Sequence, residues 1–441
     1  MTDVLARALA ACEPTPAEAT KLDGIAKLAK DLVEQAKTPE VKEVVFGGSY
    51  AKGTWLRGDA DIDIFVKIDP AVDEQTFEKI GVEMGKKALA KFRPTLRYSD
   101  HPYVEAFVRG VRINVVPCYD VERGKWKSAA DRSTFHTEYV TRTLGAEKRA
   151  HVRLLKKFLK SAGIYGAEIS TGGFSGYVSE VLVAKYGSLE GVLAAASEFR
   201  QGQVIAVGDY DPDFVKGFSS PLVIIDPVDP RRNLGTAVSP ECAGRLVLAA
   251  RAFLNKPSVR FFSRQKPRVN KKLYPHVLVA EFSHRRRSPD TIWGQMKRSQ
   301  NAVAKQLELA GFAVIRSTCT TDEETRGAFA FLLESHTLAP YTTRKGPEIF
   351  RAKDVASFVA KANGPLVMWA DREMRVSTIV RRKETDAGRL VRALLNNDGS
   401  GVARGMITGN VKIYTGNRRS SPLVKQAVDE LASTEGLIFG S

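Results

Sequence analysis

Cysteine is scarce in this 441-residue chain: Cys12, Cys118, Cys242 and Cys319 are all there are, with no C-x-x-C pair and no histidine beside any of them. That scatter excludes a zinc ribbon and a disulfide framework, and leaves buried, inert thiols as the expectation. Long apolar runs are missing too. No stretch approaches the roughly 18 residues that cross a bilayer. The opening "MTDVLARALAACEPTPAEATKLDG" lacks the basic start, apolar centre and cleavage site of an export signal. No basic amphipathic anchor or lipidation motif is found either. These absences predict a cytoplasmic protein with no membrane attachment. The third deficit is negative charge: 50 acidic residues face 67 Lys and Arg, a net charge of +17 with pI near 9.6. An excess of that size suits a polyanionic partner, because Lys and Arg contacts to phosphate release counterions.

What is present reads as an ordinary globular chain, 43% hydrophobic and 27% charged, with length for about three domains. Leu22, Ile25, Leu28, Ala29, Leu32 and Val33 recur at helical spacing within 17–37. "VKEVVFGGS" and "DADIDIFVKI" then read as strands, "EQTFEKIGVEMGKKALAKF" as a helix, and "YVEAFVRGVRINVVPCY" as a hairpin turning at Arg109-Gly110. From about 147 the pattern becomes helical and glycine-punctuated, interrupted by the proline-broken strand "PLVIIDPVDPRRN". A third region gives "HVLVAEFS", "TIWGQMKRSQNAVAKQLELAG", "FAVIRSTCT" and "AFAFLLES", a β-α-β-β run compatible with a ferredoxin-like sheet. "SPLVKQAVDELAS" is a closing helix.

The chemistry concentrates in "GGSYAKGTWLRGDADIDIF", residues 47–65. Side chains at i and i+2 of a strand share a face, so Asp61 and Asp63 project together as hard oxygen ligands suited to Mg²⁺. The preceding Gly-Gly-Ser turn lets backbone N–H groups approach a phosphate, with Ser49 and Lys52 adding donors. A lone D-x-D is usually a solvated face and a lone Gly-Gly-Ser a simple turn. In this order they form the apparatus of phosphoryl or nucleotidyl transfer.

The stretch resembles the nucleotidyltransferase superfamily of DNA polymerase beta. "GSYAKGTWLRGDADIDIF", "HPYVEAFVRGVRINVVPCY", "DRSTFHTEYV", "VRLLKKFLKSAGIYGAE", "GGFSGY" and "DPVDPRRN", in that order, resemble the archaeal class of CCA-adding enzymes, which are tRNA nucleotidyltransferases. The resemblance implies an α/β multidomain fold: a polymerase-beta-like palm (1–146), a helical neck (147–265), and a ferredoxin-like α+β body (266–339 and 401–441) with an inserted tail (340–400). It implies template-independent addition of CCA to the tRNA 3′ end from CTP and ATP, with two Mg²⁺ and release of pyrophosphate. The tRNA acceptor arm and 3′ end would be the partner, and a homodimer stays open. By the same resemblance Ser49 and Lys52, the latter in place of an arginine, would hold phosphates, and Asp61 and Asp63 the metals. Ser133, His136, Lys156 and Tyr165 would meet triphosphate and sugar, and Arg232 the nucleobase together with RNA phosphates.

One position departs from the pattern. Where the family has a third metal carboxylate, this chain has Asn114, a neutral and poorer Mg²⁺ ligand that offers no base. An inactive engineered form, a naturally weakened enzyme and a compensated site all stay open. A two-residue loop at Arg109-Gly110 would pair Glu105 with Asn114 on one face, so Glu105 is the candidate to supply the lost charge. The rival readings are a poly(A) or oligoadenylate polymerase on the same palm, and a tRNA-binding protein with impaired catalysis. The charge excess gives a first test: affinity for tRNA should fall about 10³-fold or more between 50 and 200 mM salt if six or more phosphates are contacted. A filter-binding Kd that does not move with salt would remove phosphate contact as the source of affinity.

Overall fold

A computed structural model describes residues 1–98, 101–362, 366–397 and 401–439. The chain forms two compact units, Met1–Lys266 with Gly436–Ser441, and Pro267–Glu435. Among the described residues no helix is long and apolar enough to cross a membrane. The four cysteines are buried and free.

The first unit opens with helix α1 (Thr2–Cys12) and helix α2 (Pro16–Gln35). Thr15 caps α2 by accepting from the Glu18 N–H, Pro16 fits the first turn, and Leu22, Ile25, Ala26, Ala29 and Val33 form its buried stripe. Strand β1 (Val41–Gly47), short helix α3 (Gly48–Lys52), strand β2 (Asp61–Ile68) and helix α4 (Glu74–Ala88) follow, then strands β3 (Thr95–Tyr98), β4 (Pro102–Val108) and β5 (Val111–Tyr119). The strands make one mixed sheet in the order β1-β2-β5-β4-β3, in which only β2 and β5 run parallel.

Period-two alternation decides which face does what. Ile62, Ile64, Val66, Ile113, Val115, Val104 and Ala106 point one way and are buried among residues of α2 and α4. Asp61, Asp63, Asn114 and Glu105 therefore point the other way. The hairpin turns at Arg109-Gly110, both with positive φ. The pairs Glu105–Asn114, Ala106–Ile113, Phe107–Arg112 and Val108–Val111 are those the two-residue loop requires.

Helices α5 (Asp131–Thr143), α6 (Ala146–Ser161) and α7 (Gly176–Tyr186), with helices Leu189–Ser197 and Pro240–Asn255, enclose a second core around Leu155, Phe158, Leu159, Leu182, Leu246 and Phe253. Leu5, Ala8 and Cys12 of α1 and Leu437 near the other end of the chain belong to this core. The domain division expected above is thus corrected at both ends: residues 2–12 pack with the neck rather than the palm, and 436–439 leave the body for the first unit. Their apolar faces fit the helical core and have no sheet to cover.

In the second unit, strands Val314–Thr321, Arg326–Leu333, Val277–His284 and Ile407–Thr415 lie in that spatial order, every neighbour antiparallel. Helices Pro289–Ala310 and Ala387–Asn396 cover one face, and Pro422–Leu431 the other. The insertion between them is a three-stranded sheet of Tyr341–Glu348, Arg375–Arg381 and Val367–Ala370 with helix Ala352–Lys361. The expected tail ran on to 400. Ala387, Val391 and Leu395 instead share the body's core, while 363–365 and 398–400 lie outside the described residues.

Helix α4 reaches the sheet through glycines one turn apart. A Cβ at Gly81 would stand 2.6 Å from the Pro117 ring, and one at Gly85 would stand 2.7 Å from the Val104 Cβ. Ala favours a helix over Gly by about 1 kcal/mol, but overpacking a tight contact costs about 1–3 kcal/mol. Gly85→Ala should therefore lower stability by about 1 kcal/mol. A denaturant midpoint that rises instead would show that α4 can retreat from the sheet.

Candidate active site

One row of residues crosses the polar face of the first sheet: Gly47, Asp63, Asn114, Glu105 and Thr95 stand side by side on β1, β2, β5, β4 and β3. The next row sets Asp61 beside Arg112. Gly48, with φ +62°, opens α3 directly against this row, and any Cβ there would overlap the Asp63 carboxylate. The Gly-Gly turn thus admits Asp63 as well as leaving backbone donors free to approach a ligand.

Asp63 is held by Asn114, whose Nδ2 donates to Oδ1 at 2.8 Å. Burial pushes the Asp63 carboxyl above the usual carboxylate range; the Asn114 bond opposes that, and the charge of Asp61 adds to it. Asp61 accepts from Arg112 Nε at 2.9 Å. The carbonyl oxygen of Asn114 is buried and has no hydrogen-bond partner among the described residues. An orphaned carbonyl beside a desolvated carboxylate is a donor set that a hard divalent cation satisfies.

Asp63 and Asn114 line a cavity of about 400 Å³, which also takes in Ser133, His136, Ser175, Tyr177 and Arg232. Asp131 anchors the start of α5: it is buried, and its carboxylate accepts from the backbone N–H groups of Tyr119, Lys127 and Ser128. That closes the loop between β5 and α5, so that Ser133 and His136 face the cavity. His136 Nε2 donates to Asp226 Oδ2 at 2.9 Å, and its ring stacks on Tyr177 with centroids 3.8 Å apart. Asp226 is fully buried and also accepts from the Tyr177 hydroxyl at 3.1 Å and from Arg232 Nη1 at 3.3 Å. Burial holds His136 below the ordinary histidine range, with Asp226 opposing.

Of the residues singled out in the sequence, Asp63, Asn114, Ser133, His136 and Arg232 meet in this cavity. Asp61 adjoins it through β2, and Ser49 sits on α3 beside Gly48. Lys52 and Lys156 are buried deeper, both against Glu180. Tyr165 is half-buried, and burial drives its phenol well above the usual range. Glu105 has the expected register but different company: its Oε1 accepts both Nε and Nη2 of Arg97, at 3.0 and 2.9 Å. The carboxylate already has its counter-charge in Arg97, which removes the reason for expecting it to replace the charge that Asn114 lacks.

Glu180, Asp226, Asp131 and Tyr177 were missed. An acid within the apolar "VSEVLVA" was a visible signal for a buried partner, and Asp226 stands six residues before the arginine that was chosen. Asp131 opens the stretch "DRSTFHTEYV" and Tyr177 closes "GGFSGY", so the motifs held both residues without showing what either one contacts.

Residues 25–140 match the nucleotidyltransferase domain family, 150–263 the second domain of tRNA nucleotidyltransferase, and 275–413 the C-terminal domain of the CCA-adding enzyme. The chain is 37% identical over 425 residues to the CCA-adding enzyme of Pyrobaculum neutrophilum, covering 91% of this chain and 97% of that one. The corresponding protein of Pyrobaculum aerophilum is 36% identical over 397 residues, 88% and 91% of the two chains. That of Saccharolobus shibatae is 37% identical over 342 residues, 77% and 81%. Among solved structures, the RNA terminal uridylyl transferase Cid1 covers 60% of this chain and 98% of its own at 16% identity and TM-score 0.49, too loose a likeness to carry an argument.

The desolvated Asp63 carries a sign that can be tested. Its pKa in the folded chain lies above the unfolded value, so ionised Asp63 opposes folding at every pH above its folded pKa, and the penalty disappears as pH falls through the unfolded value. Without added metal, Asp63→Asn should therefore raise the melting temperature near neutral pH, by an amount that shrinks towards acid pH. A variant that melts lower than the parent at pH 7 would mean that Asp63 is stabilised as an anion by its neighbours.

Proposed function

Given that the chain belongs to the CCA-adding enzymes, a family of tRNA nucleotidyltransferases, we propose that Asp61, Asp63 and Asn114 form its metal-binding catalytic centre for adding CMP and AMP to a tRNA 3′-hydroxyl. The observation that carries this reading is the row across the sheet, with a desolvated carboxylate and an unpartnered carbonyl side by side at a cavity wall. The donor set fits Mg²⁺, two ions of which would be held by Asp61 and Asp63, with the Asn114 carbonyl as a neutral third ligand. Bound there, Mg²⁺ supplies positive charge to the triphosphate and acidity to the 3′-hydroxyl.

The remaining roles belong to the chain's own groups. Ser49, Lys52, Ser133, Lys156 and Tyr165 bind and orient the triphosphate and sugar. His136 is fixed by Asp226 with its Nε2 donating, so it presents one orientation only. Arg232 offers a planar fork of donors to a base edge, and Asp226 holds it there. Alignment of the 3′-hydroxyl on the α-phosphorus accounts for the rest of the rate. The second unit, with its inserted three-stranded sheet, binds the acceptor arm beyond the 3′ end in the cytoplasm, where charged nucleotides and tRNA meet.

Incubation of a tRNA lacking CCA with Mg²⁺ and each nucleotide in turn tests the reading. CTP alone should be incorporated, which separates this activity from poly(A) synthesis. Asp61→Ala and Asp63→Ala should each lose addition by orders of magnitude while the tRNA Kd stays within about twofold, since affinity comes from the basic surface. Parent-like addition by either variant would take the D-x-D strand out of the chemistry.

A further inference from the structure

We infer that Glu180 is a positioning residue for the incoming nucleotide, holding Lys52 and Lys156 as a fixed pair of ammonium groups at the phosphate end of the site. The inference rests on the reading above in which both lysines meet the triphosphate. Glu180 lies in the apolar middle of α7 and is 1% exposed. Its Oε2 accepts from Lys52 Nζ at 2.9 Å, and its Oε1 accepts from Thr54 Oγ1 at 2.6 Å and from Lys156 Nζ at 3.4 Å. Lys156 places its other two protons on Thr54, at 3.1 Å from the backbone oxygen and 3.0 Å from Oγ1. Every N–H of Lys156 thus has a partner, supplied by the turn after α3 and by α7.

Two ammonium groups share one carboxylate, so the cluster keeps one uncompensated positive charge out of water. Buried ion clusters seldom stabilise a fold better than apolar residues of the same volume, whereas a surplus cation beside a cavity suits an anionic ligand. The placement agrees. Lys52 Nζ lies 4.9 Å from the centre of the Tyr177 ring, which lines the cavity with Asp63 and His136. Gly176, the first residue of α7, brings the start of that helix against the other lysine: a Cβ there would stand 3.5 Å from Lys156 Nζ and 3.0 Å from the Tyr165 hydroxyl. Ser175, which caps α7 through the Val178 N–H, is itself a cavity residue, so the positive end of the helix faces the same space.

The charged and titratable groups around Lys156 are Glu180 on α7, Lys52 on α3, Arg153 on its own helix and the Tyr165 phenol. Burial pulls Lys156 below the ordinary lysine range, and Glu180 opposes that pull. Burial likewise works to raise the Glu180 carboxyl, but Lys52 and Lys156 outweigh it and hold it below the usual range. Without the carboxylate, Lys156 would face Lys52 uncompensated and lose its proton at lower pH.

The test is the nucleotide KM, measured on full-length protein with CTP, Mg²⁺ and a tRNA lacking CCA. In Glu180→Gln, KM relative to the parent should climb severalfold as pH rises from 7 to 9, because Lys156 then loses its proton at lower pH, with kcat and tRNA Kd nearly unchanged. Glu180→Asp keeps the charge but moves it, so its KM should be raised by the same factor at every pH. Equal losses in both variants, independent of pH, would mark Glu180 as a purely structural acid and overturn the inference. Lys52→Met and Lys156→Met separate the two readings. If both weaken nucleotide binding while Glu180→Gln leaves KM and its pH profile at parent values, the inference fails and the phosphate-ligand reading stands. If neither lysine variant changes KM, both fall. Should Glu180→Gln not fold, Thr54→Val takes its place, since it removes the hydroxyl bridging Glu180 and Lys156. KM should then rise with pH, and an unchanged KM overturns the inference.

Discussion

The parallel pairing of β2 with β5 is the constraint on which the rest of the site depends. It alone puts Asp63 beside Asn114 and Asp61 beside Arg112, residues that lie 51 positions apart in the chain. That pairing is opposed on the polar face by the desolvation of Asp63 and its repulsion with Asp61, and favoured there by the contacts from Asn114 to Asp63 and from Arg112 to Asp61. It is stabilised from behind, where Ile62, Ile64, Ile113 and Val115 are fully buried among residues of α2 and α4. Apolar burial contributes about 25 cal/mol for each Å² removed from water whatever the opposite face carries. The sheet can therefore hold an electrostatically unfavourable row of side chains without losing its register.

The site has two signs of charge in separate places. Asp61 and Asp63 stand at the front, and Lys52 and Lys156 are buried further in around Glu180. Under the proposed function, a metal–triphosphate complex, which carries both signs, would complement both regions at once. Gly48 serves this separation by making room for the Asp63 carboxylate. It places a charge where a Cβ would have stood.

The wall formed by α5 and the Asp226 loop works by a different principle. Asp226 is fully buried and accepts from four groups: His136, Tyr177, Arg232 and the Val228 N–H. A carboxylate so engaged stays ionised, its pKa held down against the effect of burial. It fixes three side chains of the cavity in one arrangement, which reduces the ordering that binding of any ligand there would require.

Much of this was legible in the chain itself. Period-two alternation assigned Asp61 and Asp63 to one face, and the two-residue turn at Arg109-Gly110 gave the Glu105–Asn114 register, because strand geometry leaves no freedom once the loop length is known. Motif order identified the transferase, because the residues that contact a common chemistry recur at fixed spacing. What the sequence could not give was company. Glu105 was assigned to the right row, yet Arg97, from a strand not foreseen, takes its charge. Lys156 was singled out only by resemblance, and its 2% exposure was not legible, because α7 brings Glu180 against it. Residues 2–12 share a core with helices that begin only at Asp131 and beyond. Local pattern fixes the direction in which a side chain points, and only the packing of distant elements decides which charge it meets there, since Coulomb energies depend on separation in space and not along the chain.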